Sequence, residues 1–92
     1  MQWQLRLYRA KEGELEEFVR EWRERVLPLR RAHGFDVIGP WVTEDRRFAW
    51  IVGHEDLAAA DAEYYASADR ASMVPDPARH LAETEHIAME DA

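Results

Sequence analysis

The chain has 92 residues, 47% of them apolar or aromatic, and no cysteine. That length is a single domain, residues 1–92; the apolar share excludes disorder, and the missing cysteines exclude a disulfide framework, a thiolate metal site and a thiol nucleophile. A net charge of −7 opposes nonspecific binding to nucleic acid, whose phosphates it would repel.

From the first residue the chain runs into a strand-like pattern without a basic leader or an apolar signal core. No apolar stretch approaches the ~20 residues that cross a bilayer. The expectation is a cytoplasmic protein with no membrane contact. A domain this small buries only ~60–65% of its unfolded surface, so a second copy would add needed cover.

Gln2 to Arg9 alternates, with Trp3, Leu5 and Leu7 on one face and Gln4, Arg6 and Tyr8 on the other, which predicts a strand. Lys11-Glu12-Gly13 breaks it. From Glu14 to Ala32 the residues Leu15, Phe18, Val19, Trp22, Val26 and Leu29 recur at the spacing of an amphipathic helix. Glu14, Glu16 and Glu17 at its start and Arg30 and Arg31 at its end suit the helix dipole. Pro28 should kink the last turn or end the regular helix, and Gly34, after His33, can take the left-handed cap. The arginines Arg20, Arg23, Arg25, Arg30 and Arg31 alternate with Glu16, Glu17, Glu21 and Glu24. This reads as a solvated face with i,i+4 ion pairs, not a nucleic-acid patch.

Val37 to Val42 and Phe48 to Val52 are apolar runs joined by Thr43-Glu44-Asp45-Arg46-Arg47. They predict a hairpin, apolar on both faces, that carries Trp41 and Trp50. Gly39-Pro40 interrupts the first of these strands; proline donates nothing to a ladder, so an edge position or a bulge is expected. Phe48 to Gly53 alternates little, as a strand covered on both faces would. Asp56 can N-cap a second helix from Leu57 to about Ala68, which carries Tyr64 and Tyr65. Pro75-Asp76-Pro77 marks a turn or short loop. Leu81 to Met89 alternates and reads as a strand, although its alanine and glutamate also suit a C-terminal helix.

The order β-α-β-β-α-β predicts an α+β, ferredoxin-like antiparallel sheet with two helices on one face, the first and third strands central and the second and fourth at the edges. Two helices cover one face only. The other needs a second copy or a ligand, so the expected assembly is a homodimer, a dimeric α+β barrel with a pocket.

The chain resembles the NIPSNAP-type domains of the dimeric α+β barrel superfamily over most of its length. The carriers are Leu5-Arg6-Leu7-Tyr8, Gly13-Glu14-Leu15-Glu16-Glu17-Phe18, Trp22 with Val26-Leu27-Pro28-Leu29, His33-Gly34-Phe35, Gly39-Pro40-Trp41 and Phe48-Ala49-Trp50-Ile51. Leu7 and Pro40 stand where the family commonly has threonine and alanine, which bears on the polarity of the pocket and not on the fold. The resemblance implies two sheets facing each other in a homodimer; it implies no activity. Relatives in the wider superfamily include cofactor-free antibiotic biosynthesis monooxygenases, haem-degrading monooxygenases, cyclases and chlorite dismutase-like enzymes, and fold alone does not choose among them.

Arg6 and Tyr8 are the foremost polar candidates, because a charge on a central strand is costly to bury without a partner. Arg6 could fork onto an anionic or carbonyl-bearing ligand and Tyr8 could donate to it. The bland reading is a dimer-face pair, with Arg6 bridged to Glu83, Glu85 or the partner copy. Of the four histidines, His86 is the better lone acid/base candidate and His54 the second; a histidine bonded at the sheet rim is the plainer account of each. His80 and His86 would lie ~20 Å apart on a strand rising ~3.3 Å per residue, so they cannot share a metal, and no metal site is expected. Trp3, Trp22, Trp41, Trp50, Tyr64 and Tyr65 fill a core first, but Trp22, Trp41, Trp50, Tyr64 and Tyr65 could also wall a substrate cleft. The four glycines are scattered, so there is no phosphate loop.

The expectation is a small-molecule-handling homodimer in which Arg6 and Tyr8 orient a polar group, the tryptophans hold an apolar or aromatic body, and a histidine moves a proton. If it is an enzyme, it is a cofactor-free oxygenase, cyclase or isomerase of secondary metabolism acting on an aromatic or polyenic substrate. The alternatives are a noncatalytic interaction or stress-associated domain and a haem-binding protein or haem-degrading monooxygenase. A filled interior would favour the noncatalytic reading.

Overall fold

The computed structural model describes residues 1–92. Four strands, β1 (Gln2–Ala10), β2 (Asp36–Val42), β3 (Phe48–His54) and β4 (Leu81–Met89), form one sheet in the order β2-β3-β1-β4. Every pairing is antiparallel. The helical pieces are α1 (Leu15–Glu21), a π-helical turn (Trp22–Val26), α2 (Leu27–Ala32), α3 (Leu57–Ala66), α4 (Ala68–Ala71) and a 3-10 turn (Pro77–His80). This is the ferredoxin-like sandwich expected, with β1 and β3 central and the C-terminal segment a strand.

Pro28 does not end the first helix. The π turn lies directly before it, with the Leu27 N–H donating to the Trp22 carbonyl, and α2 continues with Pro28 in its first turn, where a missing N–H is tolerated. The wide turn has a second effect. In an α-helix each four-residue step overshoots a full turn by about 40°; the π turn takes that drift back, so Phe18, Trp22, Val26 and Arg30 all reach the same cavity. Gly34, at φ 88°, closes α2 with two reversed bonds, Gly34 N–H to the Arg31 carbonyl and Phe35 N–H to the Arg30 carbonyl. The second bond holds the Phe35 ring beside Arg30.

Asp56 caps α3, accepting from the Ala59 N–H, but α3 stops at Ala66, because Ser67 is extended and caps α4 instead. On β2 the register with β3 slips between Ile38 and Trp41. Gly39 sits in that bulge at φ 124°, where a Cβ would lie 3.3 Å from the Trp50 Cα, so the expected edge and the expected bulge coincide.

The core lies between the helices and one face of the sheet. Phe18 meets Phe48 edge-on at 4.9 Å, and Trp22 meets Phe48 at 5.1 Å and Trp50 at 5.4 Å. On β1 the helix-covered face is the one with Arg6 and Tyr8, both buried. The face with Trp3, Leu5 and Leu7 is the open one. It continues into Ile51, Ile38, Trp41 and Ile87, and Ile38, Trp41 and Ile87 are 46%, 50% and 39% exposed. Arg6 is therefore not a dimer-face residue bridged to Glu83 or Glu85. Those glutamates instead approach Arg9 at 4.0 Å and Arg47 at 3.9 Å.

Candidate functional site

Three elements each place one charged side chain at an inward position. Arg6 comes from β1, Arg30 from the Trp22–Val26 row of the first helix, and Asp61 from α3, one turn after Leu57. Arg6 and Arg30 are each 1% exposed. Asp61 accepts from Arg30 Nη1 at 2.5 Å and approaches Arg6 Nη2 at 3.3 Å. Arg6 also forks onto the Gln4 side-chain oxygen, Nε at 3.1 Å and Nη2 at 3.0 Å. Arg30 Nη2 donates to the Tyr65 hydroxyl at 3.2 Å.

Aromatic rings enclose both guanidiniums. The Arg30 carbon lies 3.9 Å from the Tyr64 ring centre, 4.7 Å from Phe35 and 5.4 Å from Trp50, and the Arg6 carbon is also 5.4 Å from Trp50. The negative ring faces compensate part of the desolvation, but not all of the hydrogen bonding. Arg6 Nη1, Arg30 Nε, Trp22 Nε1, Trp50 Nε1 and the Tyr64 hydroxyl are buried without a partner. The Trp50 N–H stands beside the Tyr8 hydroxyl, outside hydrogen-bond geometry.

Two spaces adjoin this cluster. A small, half-open pocket of ≈50 Å³ is lined by Tyr8, Trp22, Arg30, Trp50 and Tyr64 among others. An open cleft of ≈780 Å³ runs between α3 and the β1–β4 pair, with Gln4, Arg6, Asp61, Tyr65 and His86 in its wall. Tyr65 borders both spaces. His86 is paired with Arg6 across the β1–β4 ladder and so stands on the same face. Burial, and then the Arg6 charge, hold its pKa below the usual histidine value, so its ring is neutral at pH 7 and can accept a proton. Burial pushes the Tyr8 phenol up, against the opposing charge of Arg6, so Tyr8 stays protonated.

Of the residues singled out from the sequence, Arg6, Tyr8, His86, Trp22, Trp50, Tyr64 and Tyr65 gather around this cluster. Of these, Arg6, His86 and Tyr65 border the large cleft, whereas Tyr8, Trp22, Trp50 and Tyr64 line the small pocket. Trp41 is on the opposite face of the sheet. His54 is elsewhere: its Nδ1 accepts from the Asp56 N–H at 3.0 Å. His80, expected on the last strand with His86, ends the 3-10 turn. It is buried between Glu14 (Nδ1, 2.8 Å) and Glu21 (Nε2, 2.9 Å). No three His, Asp or Glu side chains converge as a metal site would require.

Arg30 and Asp61 are the members of the cluster that sequence reasoning missed: Arg30 reads as part of a solvated face, and Asp61 was not singled out. Their spacing was a usable signal. Arg30 continues the four-step row Phe18, Trp22, Val26, and Asp61 lies four after Leu57 and three before Tyr64, so each falls on an apolar stripe.

A ferredoxin-like α+β sandwich with a polar cluster between its layers and an uncovered apolar sheet face defines the class. The particular family follows from the chain as a whole: the NIPSNAP family profile matches residues 3–88, and the protein belongs to the NIPSNAP family. It is similar to an uncharacterized NIPSNAP domain protein from Burkholderia xenovorans, at 18% identity, 100% of this chain, 95% of that one and a TM-score of 0.86. A NIPSNAP family protein from Agrobacterium tumefaciens is similar at 17% identity, 99% and 92% of the chains and a TM-score of 0.84. A putative antibiotic biosynthesis monooxygenase from Nitrosomonas europaea is similar at 16% identity, 99% and 98% of the chains and a TM-score of 0.73. At these identities the likeness is one of fold. None of the curated proteins matches the chain. No helix is long and apolar enough to cross a membrane.

Proposed function

We propose that the protein handles a small molecule in the cleft between α3 and the β1–β4 pair, and that it works as a homodimer closed over the open sheet face. The chemistry the site suits is cofactor-independent: an oxygenase, cyclase or isomerase step on an aromatic or polyenic substrate. Arg6, in the wall of the cleft, would orient a carbonyl or anionic oxygen, and neutral His86, opposite it on β4, would take a proton. Tyr8, Trp22 and Trp50 stand behind this pair and support it without touching the substrate.

The observation that carries the reading is Arg6, a guanidinium 1% exposed with one nitrogen unpartnered in the wall of a roomy cleft. A fold needing only stability gains little from such a residue. The test is saturation-transfer NMR against a panel of planar aromatic and polyene compounds. Binders that vanish in Arg6→Met support the reading; no binders, or binding unchanged in Arg6→Met, overturns it. The homodimer is supported by Ile38, Trp41 and Ile87 on an uncovered face, since exposed apolar patches of this kind mark interfaces. Sedimentation should show twice the 10.8 kDa chain mass, and Trp41→Glu should halve it.

One observation favours a noncatalytic interaction domain instead. The pocket among the aromatic rings is small, only ≈50 Å³. On that reading the panel yields no binder and the dimer face is the working surface.

A further inference from the structure

We propose that the cleft takes an anionic oxygen group, a carboxylate or an enolate on a planar apolar body, whose charge completes the Arg6–Arg30–Asp61 cluster. This rests on the reading of the cleft as a small-molecule site and narrows its ligand.

The first argument is charge. Two buried guanidiniums share one carboxylate, which leaves a net positive charge in a chain whose total is −7. A buried charge without a counter-ion is expensive. Glu90 and Asp91 stand at the mouth of the cleft, but the ion pairs of Arg6 and Arg30 are with Asp61 alone.

The second argument is the kind of group left unpaired. The buried side-chain orphans are four N–H groups and one hydroxyl; no side-chain amide or carboxylate oxygen is among them. Of these residues only Arg6 borders the cleft; there one donor lacks an acceptor, and the Arg6–Arg30–Asp61 cluster lacks a negative charge. Water in the small pocket could serve some of the other donors, but it brings no charge. A neutral ketone or amide brings an acceptor and no charge. A carboxylate or enolate brings both, in the geometry a guanidinium fork prefers. For the rest of the ligand, Leu57, Ala58, Ala62, Ala88 and the half-exposed Tyr65 give the cleft an apolar wall.

Asp61 then has a defined part. It pairs with Arg6 less closely than with Arg30, 3.3 Å against 2.5 Å, and so competes for Arg6 only weakly. An incoming anion adds to the pair and need not displace Asp61 from Arg30. Removing the Asp61 charge should make the site a stronger anion binder, the reverse of what a loss of structure would do.

The probes are 2-naphthoate and 2-naphthamide, alike in shape and different in charge, together with the enolate of 2-hydroxy-1,4-naphthoquinone. They are titrated calorimetrically into the intact protein near neutral pH. Both anions should bind at least about tenfold more tightly than the amide, and Arg6→Met should lower naphthoate binding by about tenfold or more while Arg6→Lys restores part of it. Asp61→Asn should raise naphthoate affinity about tenfold and leave the amide unchanged. Equal binding of naphthoate and naphthamide overturns the anion assignment and leaves the small-molecule reading standing. Failure of all three probes to bind overturns both. Binding of one anion and not the other upholds the assignment and identifies the oxygen group. Should Asp61→Asn not fold, the naphthoate–naphthamide contrast on the unmodified protein decides the matter.

Discussion

Two charge clusters with buried members lie within this small domain, and only one of them is complete. At the end of the 3-10 turn, Arg79 and His80 meet Glu14 and Glu21. Arg79 forks onto both Glu21 oxygens at 2.8 Å, and both His80 ring nitrogens are bonded to carboxylates. With His80 protonated, two acids face two bases and every charged group has its counterpart. Between the layers, Arg6 and Arg30 share Asp61, one acid facing two bases, with nitrogens left over. The first cluster ties the turn to α1 and is a structural clasp. The second has the form of a binding site, because a group that only stabilised the fold would not be left short of a partner.

The largest effect should come from breaking the complete cluster. Glu21 is 4% exposed, and Glu21→Ala would turn the exposed Arg79 out to solvent and leave the buried His80 with Glu14 alone, at a cost of about 2 kcal/mol, read from urea unfolding. A smaller effect is expected from pH. Hydrogen bonds to Glu21 and then Glu14 raise His80 above its usual 6.5, so this contribution is full below 6.5 and is lost as pH rises through the raised value. The Arg79 hydrogen bonds pull Glu21 down to about 2 from 4.5, so its contribution is present above 4.5 and is lost as pH falls toward 2. The clasp is therefore strongest between 4.5 and 6.5. His86 works the other way, since its pKa is lowered and acid opposes its burial. Melting curves of His80→Asn and His86→Asn separate the two. His80→Asn should abolish the loss of stability above neutrality, and His86→Asn should leave that loss intact and soften the decline in acid.

The regular elements were readable from periodicity, down to the bulge at Gly39-Pro40 and the Asp56 cap, because each rests on one residue's local chemistry. The inward cluster was not, for two physical reasons. On β1 the alternation set Trp3, Leu5 and Leu7 against Gln4, Arg6 and Tyr8, and hydrophobicity alone would bury the first set against the helices. The fold buries the second, because a sheet that needs cover on both faces does not reveal from one strand which side the helices take. Arg30 looked like a member of a solvated charge pattern and Asp61 carried no local signal, and only the apolar row each occupies sets it apart. The π turn that keeps Arg30 on its row is a consequence of accommodating Pro28 within a continuing helix, and a strict 3.6-residue repeat does not anticipate it.

The smallest effect separates the two clusters most cleanly. Arg6→Met removes a buried guanidinium from a site with surplus positive charge and fills its volume with an apolar chain. Arg30 and Asp61 remain as a neutral pair at 2.5 Å. The Gln4 side-chain oxygen loses its donor, but it lies at the wall of the open cleft, where water can replace it. Urea unfolding should therefore put Arg6→Met within about 1 kcal/mol of the parent protein, although Arg6 is more deeply buried than Glu21. A loss as large as that of Glu21→Ala would make Arg6 part of the scaffold and remove the contrast between a finished cluster and one waiting for its anion. A small loss with ligand binding abolished is the pattern of a residue retained for function at no gain in stability.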